Sequence, residues 1–119
     1  MNRVFVVQEP IDFTTGERKI DISPAAKHGE IIFLCPIGSI PYDLSLWITR
    51  MKEQLQDFSD ADFILLTGHP TLMCIAACIA AEYNDGFIKF LRWHKPRGSN
   101  GDYKVEQINL WEEEVQQSS

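Results

Sequence analysis

The sequence predicts an α/β fold. It reads as a small open sheet of two or three layers, mostly parallel and Rossmann-like, closed by a C-terminal antiparallel hairpin. Three observations carry this. Short continuous apolar runs recur along the chain, as suits strands covered on both faces. Segments with helical periodicity lie between them. The last two runs instead flank a Gly-rich turn, as hairpin strands do.

The first strand is Arg3 to Gln8, RVFVVQ, stopped by Glu9-Pro10. Residues 11 to 22 are mixed, with a turn signal at Thr15-Gly16, and read as a loop or irregular hairpin. Ser23-Pro24 marks the start of a helix of one or two turns, with Ser as N-cap and Pro in the first helical position. Gly29 is expected to close it in a left-handed conformation. Glu30 to Cys35, EIIFLC, is the second strand, followed by the Pro/Gly-rich loop PIGSIPY.

Asp43 is placed to cap a long helix. Its apolar positions Leu44, Trp47, Ile48, Met51, Leu55 and Phe58 form a one-sided stripe. Asp62 to Thr67, DFILLT, is the third strand. Gly68-His69-Pro70-Thr71 then turns directly into a helix that runs through Tyr83. This helix is apolar on nearly every side, so the expectation is burial all round, on the sheet and against a second subunit. Phe87 to Trp93 and Asp102 to Leu110 pair as the hairpin across PRGSNG. Residues 1–111 are expected to form one domain, and 112–119 a polar tail.

Composition narrows the function classes. The chain has 119 residues, 45% hydrophobic, with a net charge of -6. That charge argues against a nucleic-acid binder, which needs clustered Lys and Arg against phosphate. The basic cluster Arg92, His94, Lys95 and Arg97 around Trp93 reads as a solvated hairpin. The three cysteines, Cys35, Cys74 and Cys78, lie in apolar runs and read as reduced, buried thiols of a cytoplasmic protein. No apolar run approaches the roughly 20 residues that span a bilayer. No membrane anchor or metal site is expected, since His28, His69 and His94 fall on different elements. No cofactor is expected either.

In open parallel sheets ligands bind beyond the carboxyl ends of the strands. Thr67, Gly68, His69 and Thr71 sit at such an end and at a helix N-terminus, where free N–H groups favour an anion. They are the candidate ligand-binding residues for a small anionic ligand or nucleotide. Cys35, His69 and Glu9 would together supply a thiol, an imidazole and an orienting carboxylate, the parts of a nucleophilic site. No complete catalytic motif is present, which weighs against an enzyme. Trp111, beside the acidic tail, is a candidate anchor or interface residue.

The segments VFVVQEP, DISPAAKHGEIIFL, DFILLTGHP and FLRWHK, spanning Val4 to Lys95, are similar to a family of small proteins encoded in bacteriophage genomes and prophages. The resemblance brings no catalytic residue. It implies a phage-derived protein in the host cytoplasm. Together with the small size and the apolar helix, it points to an accessory protein that binds a host or phage macromolecule as a homodimer.

Overall fold

The computed structural model describes residues 2–9 and 21–111. The expected loop around Thr15-Gly16 and the polar tail 112–119 lie outside these residues. The strands are β1 (Arg3–Gln8), β2 (Glu30–Cys35), β3 (Phe63–Leu65), β4 (Phe87–His94) and β5 (Asp102–Asn109). They form one sheet in the order β2-β1-β3-β4-β5. All neighbours are parallel except β4 and β5, which pair antiparallel through eight consecutive positions from Phe87↔Asn109 to His94↔Asp102. The mostly parallel sheet with a terminal hairpin therefore stands as expected. β3 is shorter than the run DFILLT suggested. Asp62 leaves the ladder to bind Arg3, and Thr67 turns its hydroxyl onto Gln8.

Helix α1 (Ser45–Leu55) joins β2 to β3, and α2 (Pro70–Tyr83) joins β3 to β4. Both pack on one sheet face. There Met51 and Leu55 of α1, and Leu72, Ala76 and Ile79 of α2, bury Phe5, Val7, Ile64 and Ile88. A 3-10 helix, Ser23–His28, joins β1 to β2 and covers the other face. Ala25 and the preceding Ile22 pack there on Val4, Val6, Phe63, Leu65, Leu91 and Tyr103. Alternate residues of β1 and β3 feed opposite cores, which explains why their sequences are apolar without a break.

Local signals were kept with adjustments. Asp43 accepts from the Ser45 backbone N–H at 2.9 Å and from its hydroxyl at 2.6 Å, fastening the first turn of α1 although Leu44 occupies the cap. These bonds hold the Asp43 carboxyl below its ordinary range. Ser23 is the first residue of its helix, not the cap; Ile22 stands there. Gly29 is extended, not left-handed. Its constraint is crowding, because a Cβ at Gly29 would lie 2.6 Å from the Asn2 carbonyl oxygen.

Within the single chain α2 is not buried all round: Thr71, Cys74, Cys78 and Glu82 are exposed along one side, the side a second subunit would have to cover. Cys74 and Cys78 are accordingly exposed thiols, which corrects the expectation of burial, while Cys35 is buried. Ala76, Ala80 and Ala81 are buried with Leu72 and Ile79, and the exposed side carries Cys74 and Cys78 with only Thr71 and Glu82 to mark it as polar. Small residues carry no directional signal of their own.

At the amino ends of the strands, Asp62 is 1% exposed and receives three bonds from Arg3: backbone N–H at 3.2 Å, Nε at 3.1 Å and Nη2 at 2.7 Å. The Ser59 backbone N–H adds a fourth at 2.9 Å. Burial alone would raise the Asp62 pKa, but the Arg3 side chain and the Ser59 N–H outweigh it and leave it lowered.

Candidate functional site

The carboxyl ends of β1 and β3 meet where the strand order reverses direction. Gln8 holds this junction together. Its Nε2 donates to the carbonyls of Pro36 at 3.0 Å and Gly38 at 2.9 Å, and its Oε1 accepts from the His69 N–H at 3.1 Å. The buried Thr67 hydroxyl donates to the Gln8 carbonyl at 2.6 Å. One side chain thus ties the loops after β1, β2 and β3. The sequence marked this end of the sheet but not Gln8 itself. A glutamine closing an apolar strand, opposite a Thr-Gly turn, was the available signal.

Thr67, Gly68, His69 and Thr71 are all brought to this junction. Gly68 has φ +94°, and a Cβ there would sit 2.4 Å from the Gln8 Cβ. His69 caps α2, its Nδ1 accepting from the Thr71 N–H at 3.1 Å. The N–H groups of His69 and Thr71 and the proton of Thr67 are therefore engaged within the chain. What remains at the surface is the His69 Nε2 edge and the Thr71 hydroxyl.

Cys35 takes a different place. Its side chain belongs to the core under α1 and α2. Burial pushes its thiol pKa up to about 11. At pH 7 the thiolate fraction is on the order of one in ten thousand, the reverse of what a nucleophile needs. The His69 Nδ1 is already used at the helix cap. A thiol reagent under native conditions is expected to modify Cys74 and Cys78 quickly and Cys35 only after denaturation, as mass spectrometry of the alkylated protein will show. Rapid labelling of Cys35 would restore the nucleophile reading.

Beside the junction, where β3 stops and the hairpin continues, lies a groove of about 420 Å³. Its lining includes Leu66, Thr67, Phe90, Ile108 and the Arg92–Glu106 pair, whose charged atoms are 3.1 Å apart. Register puts Phe90 opposite Glu106, so these residues share one hairpin face with Arg92 and Ile108. Leu66, Trp93, Val105 and Ile108 are 42%, 36%, 40% and 37% exposed. Trp93 stands edge-on to Tyr103 at 5.0 Å, and the basic residues around it are exposed. Among the described residues no group of three or more His, Cys, Asp or Glu is arranged to hold a metal ion. No helix there is long and apolar enough to cross a membrane.

The family model described as phage Pam3 gp32-like protein matches residues 2–110. This chain belongs to that family. The match spans both sheet halves, the junction around Gln8 and Thr67, and the whole hairpin, so all of these are parts of one phage-protein family fold. It reaches past Lys95, where the resemblance in sequence ended, and takes in β5. No curated protein and no solved structure matches the chain. Trp111 falls one residue beyond the match and packs over Gly86, where a Cβ would come within 2.6 Å of its ring.

Proposed function

We propose that this phage-family protein is an accessory factor that acts in the host cytoplasm by binding another protein, and that it also associates with itself. The observation that carries the reading is the open apolar groove of Leu66, Phe90 and Ile108 beside the Arg92–Glu106 pair. Clustered exposed apolar side chains with a polar rim are the usual makings of a protein contact. The occupant that fits is an apolar side chain of a protein partner, flanked by polar groups that meet Arg92 and Glu106. The acidic balance of the chain speaks against nucleic acid.

A second reading has one observation in its favour. The order β2-β1-β3-β4 reverses between β1 and β3, with α1 and α2 on one face and the 3-10 helix on the other. This supports a Rossmann-like sheet with a small anionic ligand over Thr67, Gly68, His69 and Thr71.

One experiment separates the two. Tagged wild type and Leu66→Glu are used to capture partners from host lysate, with Glu53→Lys on the exposed side of α1 as control. The expected result is a stoichiometric protein that wild type and the control retain and Leu66→Glu loses, with unchanged circular dichroism. Retention by Leu66→Glu removes the groove from the reading. Thermal stabilisation of the wild type by nucleotides or phosphate, with no protein captured, moves the site to the Thr67–Thr71 turn.

A further inference from the structure

Strand β5 forms one end of the sheet. Among the described residues no strand pairs with its outer side, and Lys104 to Asn109 are exposed throughout. Edge strands present unpaired N–H and C=O groups and are normally blunted by bulges, prolines, short length or charged side chains. Of these devices β5 carries only the charges Asp102, Lys104 and Glu106. It runs eight residues, contains no proline, and pairs with β4 without a break.

We propose that this edge is a self-association surface, on which two copies join β5 to β5 antiparallel about Val105 and continue the sheet across the dimer. This rests on the protein-binding reading above and names one partner for the hairpin. Side-chain chemistry discriminates between the possible registers. A two-fold axis perpendicular to the sheet keeps side chains on their own face, so each residue must meet one separated from it by an even number of positions. Centred on Lys104, the pairing sets Lys104 against its own copy and Asp102 against Glu106. Centred on Glu106, it sets Glu106 against its own copy. Like charges directly opposite are destabilising. A centre at Tyr103 would pair Asp102 with Lys104, but Asp102 already pairs with Lys27, and a centre at Gln107 brings no opposite charges together. Centred on Val105, it places Val105 on Val105, Tyr103 on Gln107, and Lys104 on Glu106 twice. That register turns both charges into attractive cross-strand pairs. It also covers Val105, an exposed apolar residue on the strand. Glu106 keeps Arg92 as its neighbour within the chain, so each junction becomes an Arg–Glu–Lys network.

The test is a charge swap read by sedimentation equilibrium on the full chain. Wild type is expected to dimerise. Lys104→Glu and Glu106→Lys each replace two attractive pairs with two repulsive ones and weaken the dimer roughly tenfold or more. Combining them restores it. Circular dichroism checks that each variant is folded. As an independent readout, Val105→Cys in a Cys74→Ser, Cys78→Ser background is expected to give a disulfide-linked dimer under mild oxidation. Directly opposed Cβ atoms lie within reach of one another there. Gln107→Cys, which meets Tyr103, is expected not to. A monomeric wild type, or a dimer indifferent to both charge reversals, overturns the inference. A monomeric wild type also removes self-association from the proposed function; the partner-binding groove keeps its own test, because Leu66 lies outside β5.

Discussion

Asp62→Ala will destabilise the fold by about 3 kcal/mol, the scale expected when a buried ion pair loses one partner. The substitution removes the acceptor for the Arg3 backbone N–H, for two Arg3 side-chain nitrogens and for the Ser59 N–H at one stroke. It leaves the Arg3 guanidinium with Asp57, whose carboxylate it meets at 3.0 Å but which is largely exposed. Exposed pairs contribute little. Urea denaturation followed by circular dichroism measures the loss. A change below about 1 kcal/mol would show that solvent replaces these bonds, as at an ordinary surface pair. The same group sets an acid limit. Its folded pKa is lowered, so its contribution is fully present above the unfolded carboxylate value of about 3.9 and disappears as pH falls through the lower folded value. Wild-type stability should therefore decline below about pH 4, and that part of the decline should be absent from Asp62→Ala.

Gly68→Ala is expected to cost about 2–3 kcal/mol, measured as a fall in Tm of roughly 10 °C. Two effects combine. Backbone at φ +94° strains any residue with a Cβ. The new methyl would also lie 2.4 Å from the Gln8 Cβ and 2.6 Å from its Oε1, the atom that accepts from His69. Displacing Gln8 loosens its bonds to Pro36 and Gly38 as well. Gly98→Ala is the matched comparison. It too has positive φ, but open space around the added Cβ, so it should lose only the backbone part. Equal losses at the two sites would show that the contact with Gln8 carries no weight.

Much of the architecture was legible because its signals are local. Apolar runs, the α1 stripe of Trp47, Ile48, Met51 and Leu55 and the hairpin spacing each report on one segment, although Leu44 and Phe58 at the ends of the expected stripe lie just outside the helix. What escaped depends on pairing over distance. Arg3 and Asp62 lie 59 residues apart, as do Gln8 and Thr67, and no spacing rule links them. β3 shortened for the same reason, since both of its flanking polar residues are drawn away by β1. The cysteines of α2 were misplaced because an alanine-rich helix hides which side meets the sheet. At the candidate site the sequence located the right end of the sheet. It did not show that His69 and Thr71 would spend their backbone N–H groups inside the fold, nor that the apolar groove would open next to them.

The hairpin is longer than the strand that supports it. β3 pairs with β4 only at Ile64↔Phe90 and Leu65↔Leu91, while β4 and β5 run on together to His94 and Asp102. Beyond Leu91 the ribbon is two strands wide, a width that is marginally stable by itself. It is held by the Trp93–Tyr103 ring contact, the Tyr103 hydroxyl donating to the Asp21 carbonyl at 3.1 Å, and the Lys27–Asp102 ion pair. Amide hydrogens should thus exchange on two clocks: slowly at Ile88 to Leu91, where opening breaches the core, and faster from Arg92 to the turn, where the ribbon opens alone. That pattern would make the tip a unit that opens without the sheet behind it.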